Sequence, residues 1–290
     1  MLCAGPVSAQ LLYRIEGNGL SSPSFLMGTH HLVPVSFLDS IPGFRGAFDQ
    51  AKQVCGEVIM DEMTDMESLQ KLQNAMMMPE GMTLQQLLTP EEMASLNLLM
   101  KDLLGADLSN PFVAGQMGRM TPSALSTLLS VQMYVKHNPG FVANDGIDKA
   151  VQVMAREKGK NILSLETMDD QISTLLKGQP LERQKELLMC MVEHRDFEEQ
   201  LMRDLVDAYY AQDLKRLEQV TDQQMEGRCA TTDEEEEVIL YGRNARWMEA
   251  LPGIMRSGAT LFVVGAGHLI GERGLIQLLR EKGYRVEGVK

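Results

Sequence analysis

Residues 25–31 are Phe-Leu-Met-Gly-Thr-His-His, and residues 262–268 are Phe-Val-Val-Gly-Ala-Gly-His. Each segment is an apolar run followed by a Gly-x-x-His motif, which ends at His31 in the first segment and at His268 in the second. Short apolar runs predict buried strands, and ligands of parallel α/β sheets bind beyond the carboxyl ends of the strands. Glycine at a strand end permits a sharp turn and a close approach of a ligand. The two segments therefore predict a site at one edge of a sheet.

Further apolar runs recur along the chain with long helical stretches between them. The predicted strands are 11–15, 24–27, 54–60, 162–165, 261–264 and 284–289. From 65 to about 129, and from 169 to about 255, apolar residues recur every three or four positions, which is typical of amphipathic helices. This alternation predicts an α/β fold with parallel neighbouring strands and two helical insertions, within a single domain over 10–290.

Composition and charge restrict the function classes. Hydrophobic residues make up 44% of the 290 residues and charged residues 23%, as in folded globular proteins. The formal net charge of −13 disfavours binding to nucleic acid and to anionic membrane surfaces. No apolar run approaches the roughly 20 residues that a bilayer requires, so no integral membrane segment is predicted.

The first nine residues have features of an export signal. Val7-Ser8-Ala9 fits the small-x-small pattern of a cleavage site, so we interpret 1–9 as the remnant of a signal and expect a periplasmic or extracellular protein. The alternative is an ordinary N-terminus on a cytoplasmic protein. Cleavage after Ala9 would leave Cys55, Cys190 and Cys229, which permit at most one disulfide and one spare thiol.

The two motif histidines are candidate metal ligands. A pair of imidazoles suits Zn, Mn, Fe or Co, but a catalytic shell also needs a carboxylate or water. Glu57 is the best supplier, because a carboxylate inside the apolar run 54–60 is costly unless it is paired or bound to metal. Glu166, after the predicted strand 162–165, is a second candidate. Histidines at strand ends are also often held by hydrogen bonds alone, and this alternative stays open.

The motifs together resemble those of a known family. They are the paired Gly-x-x-His motifs, the acidic strand at Glu57, Gly146-Ile147-Asp148, Leu165-Glu166-Thr167 with Gln171, Arg243-Asn244-x-x-Trp247, and the closing segment 264–271. In this order they resemble the TraB/GumN family, which includes the Tiki proteases, and the resemblance runs from about 11 to 289. It implies a Tiki-like α/β core with a mixed, mostly parallel central sheet and helical insertions, related more distantly to the erythromycin esterase and ChaN group.

The resemblance also implies a metal site and its residues. By analogy with the Tiki proteases, His31, His268 and Glu57 would be essential, with manganese or cobalt favoured and zinc possible. His30 ranks below His31, because successive side chains of an extended chain point in opposite directions. Arg243 and Asn244 would steady a substrate carbonyl or orient a ligand, and the alternative for them is an ion pair on a helix surface.

The favoured function is therefore metal-dependent hydrolysis of a peptide or protein substrate. Glu57 would be either the third ligand or the general base. The alternatives are an esterase-like hydrolase of a small molecule, an exported protein that binds haem or metal without catalysis, and an inactive family member. Fold alone does not decide between them.

Overall fold

In the computed structural model, which describes residues 10–142 and 146–290, six strands form one mixed sheet. The strands are β1 (Leu12–Gly17), β2 (Ser24–Thr29), β3 (Gln53–Gly56), β4 (Asn161–Ser164), β5 (Thr260–Gly265) and β6 (Tyr284–Gly288). Their spatial order is β4-β3-β5-β2-β1-β6. The predicted α/β class is confirmed, whereas the proposed signal remnant at 1–9 lies outside the described residues.

Four adjacent strands of this sheet are parallel. β4, β3, β5 and β2 pair in parallel, and β1 pairs antiparallel with both β2 and β6. In register, Gly56 of β3 lies beside Val263 of β5, and Thr29 of β2 lies beside Gly265. The carboxyl ends of β4, β3, β5 and β2 therefore meet at one edge of the sheet.

The third predicted strand, 54–60, is too long. β3 ends at Gly56, and the segment after it bonds to groups outside the sheet. The side chain of Gln152 donates to the carbonyl of Val58 and accepts from the amide of Met60. Since this segment finds hydrogen-bond partners on a helix, Glu57 lies just beyond the strand and not within it.

Fourteen helices are found in the described parts of the chain. They are α1 (Phe44–Gln50), α2 (Met66–Ala75), α3 (Leu84–Leu87), α4 (Pro90–Leu104), α5 (Pro111–Met117), α6 (Pro122–His137), α7 (Ile147–Glu157), α8 (Met168–Leu176), α9 (Leu181–Glu193), α10 (Arg195–Tyr210), α11 (Leu214–Thr221), α12 (Asp233–Glu236), α13 (Gly242–Ser257) and α14 (Leu275–Glu281). A π-helical turn, Glu237–Tyr241, precedes α13, and a 3-10 helix, Ala266–Leu269, follows β5. The side chains of Thr89, Thr121 and Thr232 cap α4, α6 and α12, because each hydroxyl accepts a hydrogen bond from a free amide of the first turn.

Hydrophobic cores cover both faces of the sheet. On β5, Leu261 and Val263 belong to the core on one face, and Phe262 and Val264 belong to the core on the other. This alternation follows from the two-residue period of a strand. A third core forms among α3, α4, α6 and α9, and it contains several of the methionines. Within the described residues, no helix is long and apolar enough to cross a membrane.

A disulfide joins two segments of the second helical region. Cys190 on α9 bonds to Cys229, while Cys55 on β3 is buried and free. The three cysteines thus form one disulfide and leave one spare thiol, as expected from their number. The bridge restrains a segment of 39 residues that leads towards α13.

Removing this bridge destabilises the protein. We expect the Cys190→Ala/Cys229→Ala variant to lose about 2–4 kcal/mol of unfolding free energy, because the closed loop restricts the unfolded chain. Urea unfolding followed by circular dichroism measures the loss. We expect a reductant to lower the unfolding free energy of the wild type and to leave that of the variant unchanged. If the reductant destabilised both proteins equally, the disulfide between Cys190 and Cys229 would be refuted.

Candidate functional site

Each of the four parallel strands is followed by an ionisable side chain. His31 lies two residues beyond β2, Glu57 one residue beyond β3 and Glu166 two residues beyond β4. His268 lies on the 3-10 helix that follows β5. Because these strands are adjacent and parallel, the four side chains come to the same edge of the sheet.

A cavity of about 1060 Å³ opens at this edge. His31, Glu57, Arg243 and His268 all line it, so the two motif histidines and the acid expected beside them share one cavity. Gln171 and Asp148 also contribute to its surface. Glu166 lies behind Arg243, with its side chain only 5% exposed.

Arg243 is at the centre of the buried polar cluster. It is 4% exposed, so the interpretation as an ion pair on a helix surface is wrong. Its Nη2 lies 2.6 Å from Glu57 Oε2 and 2.5 Å from Glu166 Oε1, and its Nε lies 3.1 Å from Glu166 Oε2. Burial by itself lowers the pKa of Arg243, but the bonds to the two carboxylates more than offset this and raise its pKa.

The remaining donors of Arg243 are also engaged. Its Nη1 donates to the carbonyl of Ile239, 3.2 Å away in the π-helical turn, and lies 3.0 Å from His268 Nε2. A guanidinium has five N–H groups, and Arg243 makes five hydrogen bonds within the protein. Its side chain is thus fully occupied in holding Glu57, Glu166 and His268.

Asn244 holds the other side of His268. The Asn244 side chain donates to the carbonyls of Arg273 and His268, at 2.9 Å and 3.3 Å. These bonds orient the amide so that its Oδ1 accepts from His268 Nδ1 at 2.7 Å. Burial lowers the pKa of His268 to about 4, and the neutral ring then carries its proton on Nδ1 and its lone pair on Nε2. The ring packs against Trp247, with 4.3 Å between ring centroids.

His31 is held in a similar way on the other side of the cavity. Its Nδ1 lies 3.2 Å from Asp148 Oδ2, and the hydroxyl of Thr29 donates to Asp148 Oδ1 at 2.7 Å. The bond to Asp148 raises the pKa of His31 above its ordinary value. The ring is 69% exposed and presents Nε2 without a protein partner among the described residues. Both histidines are therefore anchored through Nδ1.

His30 has a different environment from His31. Its ring lies 5.6 Å from that of Tyr209 and 6.2 Å from that of Tyr134, and burial lowers its pKa to about 4. It lines a separate cavity of about 350 Å³ and does not line the one that contains His31. The two neighbouring histidines line different cavities, although the chain turns after His30 and does not continue as the extended strand that was assumed.

Glu57 is fixed by three donors. Its Oε1 accepts from the amide of Gly265 at 2.7 Å, and its Oε2 accepts from Arg243 and from Gln171 Nε2 at 3.1 Å. A Cβ at Gly265 would lie 3.4 Å from Glu57 Oε1, which is ordinary van der Waals contact. The buried carboxylates of Glu57 and Glu166 share the guanidinium of Arg243, beside the neutral imidazole of His268. These four side chains together have a formal excess of one negative charge.

The donor chemistry at the cavity suits a divalent cation. Metal-ligating histidines usually bind through one nitrogen while an oxygen acceptor holds the other, and His31 and His268 are both held in this manner. The excess negative charge of the cluster also favours a cation. Within 10–142 and 146–290, however, no three His, Cys, Asp or Glu side chains lie close enough together to hold a metal ion. An ion bound by His268 Nε2 would have to replace the N–H of Arg243 there.

Sequence reasoning missed several residues of the cavity. Asp148 and Gln171 were recognised as motif members without a role. His137 belongs to none of the sequence motifs, yet it lines the cavity, and its Nε2 lies 3.0 Å from Glu199 Oε2. The apolar lining from α6 and from 141–142 had no local signal, since an amphipathic helix does not reveal which element its apolar face contacts.

The fold and site define an α/β protein with a buried charged cluster and two histidines at the carboxyl edge of four parallel strands. The chain belongs to the TraB/PrgY/gumN family, whose family model matches residues 11–288. The resemblance to the TraB/GumN family is thus confirmed over nearly the whole chain.

Two curated relatives are metalloproteases by name. The chain is 22% identical to metalloprotease TIKI2 of Danio rerio over 335 aligned positions, which cover 98% of this chain and 62% of the relative. It is 39% identical to a metalloprotease TIKI homolog of Amphimedon queenslandica over 51 residues, which cover 17% of this chain and 10% of the relative. The chain thus spans less than two thirds of the length of either relative. No solved structure matches it significantly.

Proposed function

We propose that the protein is a metal-dependent hydrolase of peptide or protein substrates, similar to the Tiki metalloproteases. The observation that carries the proposal is that His31, Glu57 and His268, which come from three distant segments, line one cavity beside the buried Arg243. The distant similarity to two metalloproteases supports the reaction class. We also propose a single domain over 10–290 with the two helical insertions, and a core related to the erythromycin esterase and ChaN group.

His31 and His268 would hold the ion through Nε2, with Glu57 as the third group beside them. Manganese or cobalt is favoured by the resemblance, and zinc is compatible with the same donors. When bound, a divalent ion lowers the pKa of a water molecule and polarises a substrate carbonyl.

The protein side chains have separate tasks in this proposal. Glu57 accepts the proton of the attacking water at a carboxylate oxygen, provided that it is not itself a ligand. Asn244 keeps the His268 ring oriented with its Nδ1 protonated. Arg243 is a positioning residue, because its five N–H groups already bond to the protein and leave none to stabilise a developing oxyanion.

The proposed location is outside the cytoplasm. A disulfide between Cys190 and Cys229 is typical of proteins in an oxidising compartment, which supports the periplasm or the extracellular space. This is compatible with the small-x-small pattern at Val7-Ser8-Ala9.

A hydrolysis assay with two neighbouring histidine variants tests the proposed function. A mixture of peptides is incubated with the chelated protein and with added manganese, cobalt or zinc, and the products are identified by mass spectrometry. We expect metal-dependent cleavage that His31→Ala lowers by on the order of 10³-fold, because the variant removes one anchoring imidazole. His30→Phe should retain activity, since a phenyl ring fills the same space between two tyrosines.

Elemental analysis of the same proteins tests the metal. We expect bound metal in the wild type and in His30→Phe, and much less in His31→Ala. Cleavage that chelation leaves unchanged would overturn the metal proposal, and no cleavage with any ion would overturn the hydrolase proposal. A haem absorbance band would favour the carrier alternative.

A further inference from the structure

Apolar side chains form much of the cavity wall beside the polar cluster. They include Met60, Val131, Tyr134, Phe141, Val142 and Leu175. Val142 and Leu175 are 62% and 46% exposed, which is unusual for large apolar residues and places hydrophobic surface where a ligand can cover it. A cavity of this composition binds apolar groups and orients them through a few polar contacts.

Most ionisable side chains that line the cavity lie beside a side chain that can carry the opposite charge. The pairs are His31 with Asp148 at 3.2 Å, Arg243 with Glu57 at 2.6 Å and His137 with Glu199 at 3.0 Å. Glu57 and Asp148 are the carboxylates among the described lining residues, and both belong to these pairs. Both carboxylates of the described lining are therefore engaged by a neighbouring side chain.

Lys149 differs from these residues. It lines the cavity from the first turn of α7, next to Asp148, and is partly buried. In the part of the chain that the structure describes, its ammonium makes no ion pair and no hydrogen bond. The cavity thus contains one lysine charge that the described residues do not neutralise.

We propose that the cavity takes a peptide-like substrate with apolar side chains and one free carboxylate, and that Lys149 binds this carboxylate. The inference rests on the proposed function for the cleavage step, but not for binding. An ammonium and a carboxylate form a charge-assisted hydrogen bond, which is stronger than a bond between neutral groups. The site would therefore favour a chain terminus over an internal segment.

The charge of the whole protein limits the substrate to few negative groups. The net charge of −13 repels polyanions at long range, whereas the single Lys149 attracts one carboxylate at short range. A peptide with one free carboxylate and leucine-like side chains fits both conditions. A highly acidic peptide does not.

Calorimetric binding of two dipeptides tests the inference without catalysis. In chelating buffer, where metal-dependent cleavage is suppressed, we expect the wild type to bind acetyl-leucyl-leucine about tenfold more tightly than acetyl-leucyl-leucinamide. Lys149→Gln should reduce this preference to less than about twofold and bind the amide as the wild type does. Acetyl-seryl-serine should bind about tenfold more weakly than acetyl-leucyl-leucine, because it buries less apolar surface.

Lys158→Gln is the matched control, since Lys158 directly follows the last residue of the same helix, is exposed and does not line the cavity. It should retain the wild-type preference. Any one of three results would overturn the inference. They are equal binding of the acid and the amide by the wild type, an undiminished preference for the acid in Lys149→Gln, and no binding of either dipeptide up to about 10 mM. A preference for the acid without any hydrolysis would instead refute the proposed function alone, and hydrolysis without the preference would refute this inference alone.

Discussion

We expect the Arg243→Met variant to lose about 3–5 kcal/mol of unfolding free energy and all of the proposed hydrolytic activity. Removing one partner of a buried ion pair leaves the other charge without compensation, and Arg243 has two such partners. Glu57 and Glu166 are 10% and 5% exposed and would lie close together with no cation between them. The same substitution releases His268 from one of its two holding contacts.

Chemical denaturation of matched variants measures this loss. Arg273→Met is the control, because Arg273 forms an exposed ion pair with Glu237, and such pairs contribute about 1 kcal/mol or less. The double variant Arg243→Met/Glu166→Gln should recover part of the lost stability, since it removes one of the two uncompensated charges. Equal destabilisation by Arg243→Met and Arg273→Met would show that the cluster is not a buried charge network.

The residues at the carboxyl edge of the parallel strands were predictable because the sequence patterns that mark them are local. Apolar runs before Gly28 and Gly265 indicate buried strands, and the rule for the carboxyl ends of parallel strands then brings His31 and His268 together. Glu57 was found because a carboxylate inside an apolar run is costly without a partner. Predicting these three residues required no knowledge of how the helices pack.

The partners of these residues were not predictable in the same way. Asp148 holds His31 from α7, and Asn244 holds His268 from α13, and both contacts depend on how a helix packs across the sheet edge. The strand prediction 54–60 failed for the same reason, since Gln152 of α7 takes the hydrogen bonds that strand partners would have made. Such long-range packing leaves no periodic signal in the sequence.

Arg243 and His268 differ in how their side-chain nitrogens are engaged. Every N–H of Arg243 bonds to the protein, so the guanidinium organises its neighbours. His268 Nε2 accepts a hydrogen bond from Arg243 Nη1 at 3.0 Å and lies 3.9 Å from Glu57 Oε1, in the wall of the cavity that His31 also lines. A ligand therefore reaches the lone pair of His268 Nε2 only by displacing the N–H of Arg243.

His268→Ala is accordingly expected to lower kcat/KM for metal-dependent peptide hydrolysis by on the order of 10³-fold or more while the fold is retained. The substitution removes an anchoring nitrogen of the proposed site, whereas its structural cost is limited to the contact with Trp247 and the bonds to Asn244 and Arg243. We expect a loss of about 1–3 kcal/mol in unfolding free energy. Initial rates across substrate concentrations and a denaturation curve measure the two effects separately.

His194→Ala is the control for this variant, because His194 is exposed at the junction of α9 and α10 and lines neither the large cavity nor the one beside His30. Its activity and metal content should equal those of the wild type. Since the imidazoles of His31 and His268 act on the same ion, the His31→Ala/His268→Ala double variant should be little worse than either single variant. Unchanged hydrolysis in His268→Ala would contradict a shared site. So would a rate loss in the double variant that equals the product of the two single losses, because groups that act independently contribute additively to the activation free energy.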